Sequence, residues 1–315
     1  MKTDEPLKVK KVIDTFKEEF KAENKTNNLR DYQYLIINYF EYKINDPDFR
    51  GVLLFHGTGT GKTLTSIHLS NVFKKHYPRE KIIVLLSKSL QSNYVKNIHN
   101  YNKFSNSKTK IKESDYNFIS LNASNMYDQF IKLSNKNNKN SLFESKEVNL
   151  ENCLLIVDEY HNLSNSITNH SQNGLLLYQA IMNTKNIKLV FLTGTPIINH
   201  PFELVPTFNM LRGYELFTEN PKEFYDFFIK SENNNYFVKN PEKFKNRIYG
   251  LVSYYGDYYK NKEEKTDFPK QLPLKLVKSY MSIPQFSRYM DVREIEIREE
   301  SIKFKNKGDD LQLPE

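Results

Sequence analysis

The sequence predicts an α/β fold, a mainly parallel sheet followed by a smaller accessory segment. Three observations predict it. Residues 51–63, GVLLFHGTGTGKT, read as a buried strand (52–55) that runs into a glycine-rich turn and then into a helix opening at Lys62. Residues 81–87, KIIVLLS, form a second continuous apolar run of the kind strands show when both faces are covered. The helical stretch 64–75 between them makes strand, helix, strand, a parallel crossover unit, and the apolar runs 153–157 and beyond 188 continue the pattern.

The turn carries the first chemistry. Three of the chain's ten glycines, Gly57, Gly59 and Gly61, fall within five residues, with Thr58 and Thr60 between them. Such spacing implies positive φ or close approach of the backbone to a partner. A strand, a glycine turn and a helix N-terminus together aim backbone N–H groups at an anion, so the expected partner is phosphate. Lys62 would reach the β- and γ-phosphates and Thr63 would ligate Mg²⁺, which makes ATP with Mg²⁺ the expected cofactor. A turn that only caps a strand would explain neither the Lys-Thr pair nor the context. The general pattern has glycine five residues before Gly61, where this chain has His56, at the strand exit.

Length and composition limit what surrounds this loop. A chain of 315 residues predicts about two domains. The net charge of +8 and a pI near 9.1 suit a nucleic-acid partner, but the excess is lysine accompanied by Asn, Ile, Tyr and Phe, as an AT-rich coding bias also produces. The single cysteine, Cys153, precludes an internal disulfide and fits a reducing compartment. Residues 1–11 hold no apolar core for a signal peptide and no apolar run approaches spanning length, so the expectation is a soluble, intracellular chain with no membrane partner.

In chain order, Val9, Val12, Ile13, Phe16 and Phe20 predict an amphipathic helix packed on the body. A second helix spans 29–40, with Leu29, Tyr32, Ile36, Tyr39 and Phe40 on one side. Gln33 on it is either a surface residue or, from its place some 25 residues before the glycine loop, a partner for the N6/N7 edge of adenine. Residues 87–94 read as a polar loop opening a helix, 117–123 as a strand, 101–112 as a basic stretch and 134–141 as a low-complexity solvated insertion. The run 153–157 then delivers Asp158 and Glu159 to a strand end, where open α/β sheets bind ligands. Adjacent acids there are costly unless a cation shares them. Asp158 would hold Mg²⁺ through its water shell, and Glu159 would orient and deprotonate the attacking water. His161, two residues on, is a core or surface histidine or a coupling element. The last strand, from 188, ends in Thr193 and Thr195, which hydrogen-bond His161, contact a phosphodiester or only satisfy their own turn.

The ordered set of Gln33, GTGTGKT, DEYH and TGTP resembles the DExH-box ATPases of helicase superfamily 2. LTGTPIIN with the following Glu203, Leu204 and Asn209 is similar to the Swi/Snf-type translocases and to nucleoside triphosphatases and early-transcription ATPases of large DNA viruses. The resemblance covers 29–212 densely. It implies a RecA-like P-loop lobe in which Gln33 contacts adenine, Lys62 and Thr63 bind phosphate and Mg²⁺, and Asp158, Glu159 and His161 serve hydrolysis. It also implies that Ser87, Lys88, Asn122, Thr193 and Thr195 face a DNA or RNA strand or transmit to it. The viral branch implies a viral RNA polymerase as a partner, and the host cytoplasm or the virion as location.

The resulting division is a RecA-like ATP-binding lobe at 1–212 and an accessory segment at 213–315, leading toward a second RecA-like lobe not found in this sequence. The later part, with LVSYYGDYY and DFPKQLP, is either a helical subdomain that buries its aromatics or a surface on which they stack against nucleic acid. Residues 280–289 resemble the strand and helix that lead into the second lobe. Two other functions share the loop, a small-molecule P-loop phosphotransferase and a non-catalytic binding module. The first leaves the order of Gln33, DEYH and TGTP unexplained, and the second leaves the intact Lys62, Asp158 and Glu159 unexplained.

Overall fold

The computed structural model describes residues 14–15, 29–105, 110–137, 150–232, 235–256 and 275–306. Described residues up to 256 form one compact unit and 275–306 belong to a second. The amphipathic helix expected at 9–20, apart from Asp14 and Thr15, and the DFPKQLP stretch lie outside the described residues.

The first unit is built on a six-stranded, all-parallel sheet. Its strands are β1 (Gly51–His56), β2 (Ile82–Leu86), β3 (Tyr116–Ser120), β4 (Leu154–Val157), β5 (Lys188–Thr193) and β8 (Val252–Tyr255), in the spatial order β3-β2-β4-β5-β1-β8. Strands β6 (Ile229–Glu232) and β7 (Asn235–Val238) make a separate antiparallel hairpin. The central strands are apolar at nearly every position because both faces are covered. On one face Val52, Leu54, Ile82, Val84, Leu154, Ile156, Val190 and Leu192 pack under α1 (Asp31–Lys43), α2 (Lys62–His76) and α3 (Gln91–Phe104). On the other, the alternate residues, such as Leu53, Leu85, Leu155 and Phe191, pack under α4 (Met126–Asn137), α5 (His161–Thr168), α6 (Gln172–Asn183) and α7 (Leu204–Arg212). Phe217, Phe224 and Phe228 extend that second core into α8 (Pro221–Phe228).

Several expected elements shift. The helix expected from 29 starts at Asp31, the strand expected over 117–123 is Tyr116–Ser120, and α4 runs through the first part of the low-complexity stretch to Asn137. Residues 252–255, which the sequence reading assigned to the segment after 212, pair with β1 in the sheet. The segment after 212 otherwise holds α8, the hairpin and α9 (Pro241–Ile248), and it buries Phe224 and Phe228 while Tyr236 and Phe237 stay exposed. The second unit contributes one described helix, α10 (Ile283–Asn306), and no strand precedes it among the described residues.

One buried cation locks the edge of this architecture. Arg50 lies one residue before β1 and donates through Nη2 to the Ile181 carbonyl (2.7 Å), through Nη1 to Thr184 (2.6 Å) and through Nε to Met210 (3.0 Å). These carbonyls close the C-terminal ends of α6 and α7, where the helix dipole favours a cation. Burial pulls the guanidinium pKa down to about 10. Gly213 caps α7 at φ +78°, and a Cβ there would sit 2.6 Å from Arg50 Cδ, so this end of the helix admits only glycine. Arg50→Met should remove the guanidinium donor from all three carbonyls, of which Ile181 keeps the Thr184 N–H (3.2 Å), and cost about 3 kcal/mol of stability by urea denaturation; a loss below about 1 kcal/mol would show that the guanidinium is dispensable.

Candidate nucleotide site

Because the sheet is all parallel, every strand's carboxyl end lies on one edge, and the strand order decides which ends are neighbours. β5 lies between β1 and β4, in register with both, so the glycine loop, the Thr193 end and the acid pair are adjacent. Ser87, Lys88 and Asn122 follow β2 and β3 on the same edge but farther along it, with Lys88 and Asn122 exposed. Ser87 Oγ lies 3.1 Å from Ser89 Oγ.

In the loop, Gly59 and Gly61 adopt φ +75° and +81°, as the spacing requires. Gly57 does not. Its φ is not positive, a Cβ there would meet Thr60 Cγ2 at an ordinary 3.7 Å, and its N–H donates to the Tyr255 carbonyl (2.8 Å). The Gly57 amide is thus turned to β8. Thr60 is buried and donates to the Gly57 carbonyl (2.7 Å), whereas Thr58 is exposed. Lys62 folds back, its Nζ donating to the carbonyls of His56 (3.0 Å) and Gly57 (3.2 Å). Thr63, on the first turn of α2, is half-buried.

Gln33 is buried, and its amide is engaged with the loop. Nε2 donates to Thr65 Oγ1 (3.0 Å) and the Gly61 carbonyl (3.4 Å), and Oε1 accepts the Arg30 N–H (3.1 Å). It therefore braces the turn from α1, which the adenine reading did not foresee.

At the end of β4, Asp158 is buried and Glu159 turns the chain at φ +48°, an unusual conformation for a residue with a side chain. The turn brings the Glu159 N–H onto Asp158 Oδ1 (3.0 Å). Burial, and then the neighbouring Glu159 charge, raise the Asp158 pKa, while Lys62 and His161 pull it back. His161 Nδ1 lies 3.0 Å from Thr193 Oγ1, 3.5 Å from Thr195 Oγ1 and 3.4 Å from Glu159 Oε2. The threonines thus meet His161, and Thr193 Oγ1 also accepts the Thr195 N–H of its own turn (3.0 Å). Thr193 has no exposed surface, so it does not face a strand directly; Thr195 is exposed.

Sequence reading gave no individual role to several contributors. Gly194 sits where a Cβ would come within 3.8 Å of Lys62 Nζ and 3.7 Å of Thr58 Oγ1, which places the TGTP turn against the glycine loop. Glu203, named only through the family spacing, accepts the N–H groups of Ile198 (2.7 Å), Asn199 (2.9 Å) and His200 (3.3 Å), and so fixes the segment after TGTP. Asn209 ties α7 to Phe217 through Nδ2 (3.0 Å) and Oδ1 (2.9 Å). No local pattern marks Tyr32, Ser253 or Tyr255, which meet the loop from outside, because they lie far from it in sequence.

The sheet order, the glycine loop and the acid pair across β5 define a RecA-like P-loop lobe. The chain belongs to the family described as type III restriction enzyme, res subunit, whose model matches residues 26–198, within the superfamily 2 helicase-like ATPases. It is 35% identical over 286 residues to the termination factor NPH-I homolog of African swine fever virus, covering 85% of this chain and 37% of that relative. It is 32% identical over 238 residues to nucleoside triphosphatase I of Melanoplus sanguinipes entomopoxvirus, covering 72% of this chain and 32% of that one. Among solved structures it is similar to the Sulfolobus solfataricus SWI2/SNF2 ATPase core in complex with dsDNA, at 22% identity and a TM-score of 0.49, covering 74% of this chain and 45% of that one. The chain thus spans about a third of the length of these two viral relatives. No described helix is long and apolar enough to cross a membrane.

The buried Asp158 gives a stability test independent of activity. An acid whose pKa is raised by folding opposes folding wherever it is ionised, and the penalty fades as the pH falls through that raised value. Asp158→Asn, which keeps an acceptor for the Glu159 N–H, should raise the urea midpoint at pH 7 and lose that advantage as Asp158 takes up its proton in acid. An unchanged or lower midpoint at pH 7 would contradict this account.

Proposed function

We propose that this chain is the nucleotide-binding lobe of a nucleic-acid-dependent ATPase, a helicase or translocase acting in viral transcription or genome handling. The observation that carries the reading is the hydrogen-bonded bridge from His161 to Thr193 and Thr195, which joins the acid pair to the TGTP turn beside Lys62. A phosphotransferase needs no such bridge. A motor does, because events at the nucleotide must reach the bound strand.

In this reading the loop from Thr58 to Gly61 and the start of α2 receive the phosphates, and Lys62 exchanges its two backbone carbonyls for phosphate oxygens. The nearby raised pKa of Asp158 fits a site that gains from a cation. Thr63 and Asp158 would hold Mg²⁺, which keeps several waters and phosphate oxygens and so needs few protein ligands. When bound, the ion supplies charge neutralisation at the phosphates. Glu159 accepts the proton of the attacking water, with His161 at 3.4 Å orienting its carboxylate. Ser87, Lys88, Asn122 and Thr195, on the same sheet edge, contact the strand backbone of DNA or RNA, and Thr193 transmits from within.

Charge developing on the γ-phosphoryl calls for an arginine. Arg50, Arg212 and Arg247 hydrogen-bond to backbone carbonyls of the fold. The proposed source is a second RecA-like lobe outside these residues, with a viral RNA polymerase as a further partner.

Lys62→Ala should abolish ATP binding, measured by titration, without changing the melting temperature. Glu159→Gln should keep ATP binding while turnover of the full-length protein falls by ~10² or more; near-normal turnover would remove Glu159 as the base. Residues 1–315 alone should bind ATP yet hydrolyse it ~10³ to 10⁵ more slowly than a protein that includes the second lobe. Stimulated turnover of several per second by the short chain would refute the shared site.

A further inference from the structure

We propose that Tyr32 and Tyr255 are positioning residues that brace the glycine loop from outside and set its affinity for nucleotide. The inference rests on the loop being the phosphate site. A turn with two glycines at positive φ has many conformations open to it, and a binding geometry there depends on neighbours that remove the alternatives. On its outer side those neighbours are α1 and the last residues of β8. Tyr32 Oη donates to the Thr60 carbonyl (2.6 Å), and its ring stacks on Tyr255 with centroids 3.8 Å apart and planes 18° from parallel. The Tyr255 carbonyl accepts the Gly57 N–H (2.8 Å), and Ser253 Oγ lies 2.9 Å from His56 Nε2. The His56 ring meets Tyr32 edge-on at 5.2 Å. Burial, aided by the Lys62 charge, pulls the His56 pKa down to about 4, so the ring is neutral at pH 7 and adds no charge beside the loop.

Three loop residues, His56, Gly57 and Thr60, are thus held by one stacked pair and the strand that carries half of it. Neither ring carries charge or a group that hydrolysis requires, so the pair acts on the shape of the loop. Loosening it makes nucleotide binding bear the cost of ordering the turn, which weakens affinity and leaves the chemical step alone.

The test is titration of the 315-residue chain with a fluorescent ATP analogue and Mg²⁺, with the melting temperature of each variant recorded. Tyr255→Ala should raise Kd roughly three- to tenfold, and Tyr255→Phe, which keeps the stack, should stay within about twofold of wild type. Tyr32→Phe keeps the stack but loses the bond to Thr60, and should raise Kd roughly fivefold with little change in melting temperature. It tests the brace even if Tyr255→Ala fails to fold. The double variant Tyr32→Ala/Tyr255→Ala should bind no more than about twofold more weakly than the weaker single variant, since both remove one unit. If Lys62→Ala abolishes binding while Tyr255→Ala and Tyr32→Phe match wild type, the brace is wrong and the phosphate site stands. If wild type binds no nucleotide, the phosphate site fails and the brace with it.

Discussion

The chemistry of this chain depends on one topological constraint, that β5 is inserted between β1 and β4 in an all-parallel sheet. Adjacent parallel strands lie about 4.8 Å apart. With β5 between them, the loop after β1 and the acids after β4 stand roughly 10 Å apart across the sheet. That gap admits a phosphate chain and its cation. It also makes the end of β5 the one place that touches both sides, which is why a short turn of Thr193, Gly194 and Thr195 meets His161 on one side and lies against Lys62 on the other.

Within that frame the site is arranged around its own charges. Lys62 rests on two carbonyls of the strand exit, and Asp158 is buried with its carboxyl favouring the proton. The buried carboxyl of Asp158 is less well solvated than it would be in water, so the fold gives up stability at that residue.

How much of this was legible follows from the range of the interactions. Fold class was legible because buried parallel strands are apolar on both faces and announce themselves as continuous runs, as at residues 82–86 and 154–157. Lys62, Asp158 and the TGTP turn were legible because their spacing is local. The strand at 252–255 was missed as part of the sheet, since LVSYY is short, aromatic and far from its partner β1. The same distance hid Tyr255 beneath the loop. Glycine spacing records where freedom is allowed, and the structure distinguishes Gly59 and Gly61, which use it, from Gly57, which donates its amide to β8. Gln33 was singled out for its place before the loop in the chain, and its two-sided amide satisfies Thr65 and Arg30 as readily as a base edge.

The position of β1 has a consequence for biosynthesis. Both of its neighbours, β5 at Lys188–Thr193 and β8 at Val252–Tyr255, follow it in the chain, so the strand that bears the glycine loop leaves the ribosome with two unpaired edges. At translation rates of about 5 to 20 residues per second, the roughly 200 residues up to β8 take on the order of 10 to 40 s. During that interval at least the edge of β1 that β8 later fills is open to pairing with another nascent chain. Assembly of the site is therefore a late event in synthesis, and the earliest-made part of the nucleotide site waits longest for the partners that hold it.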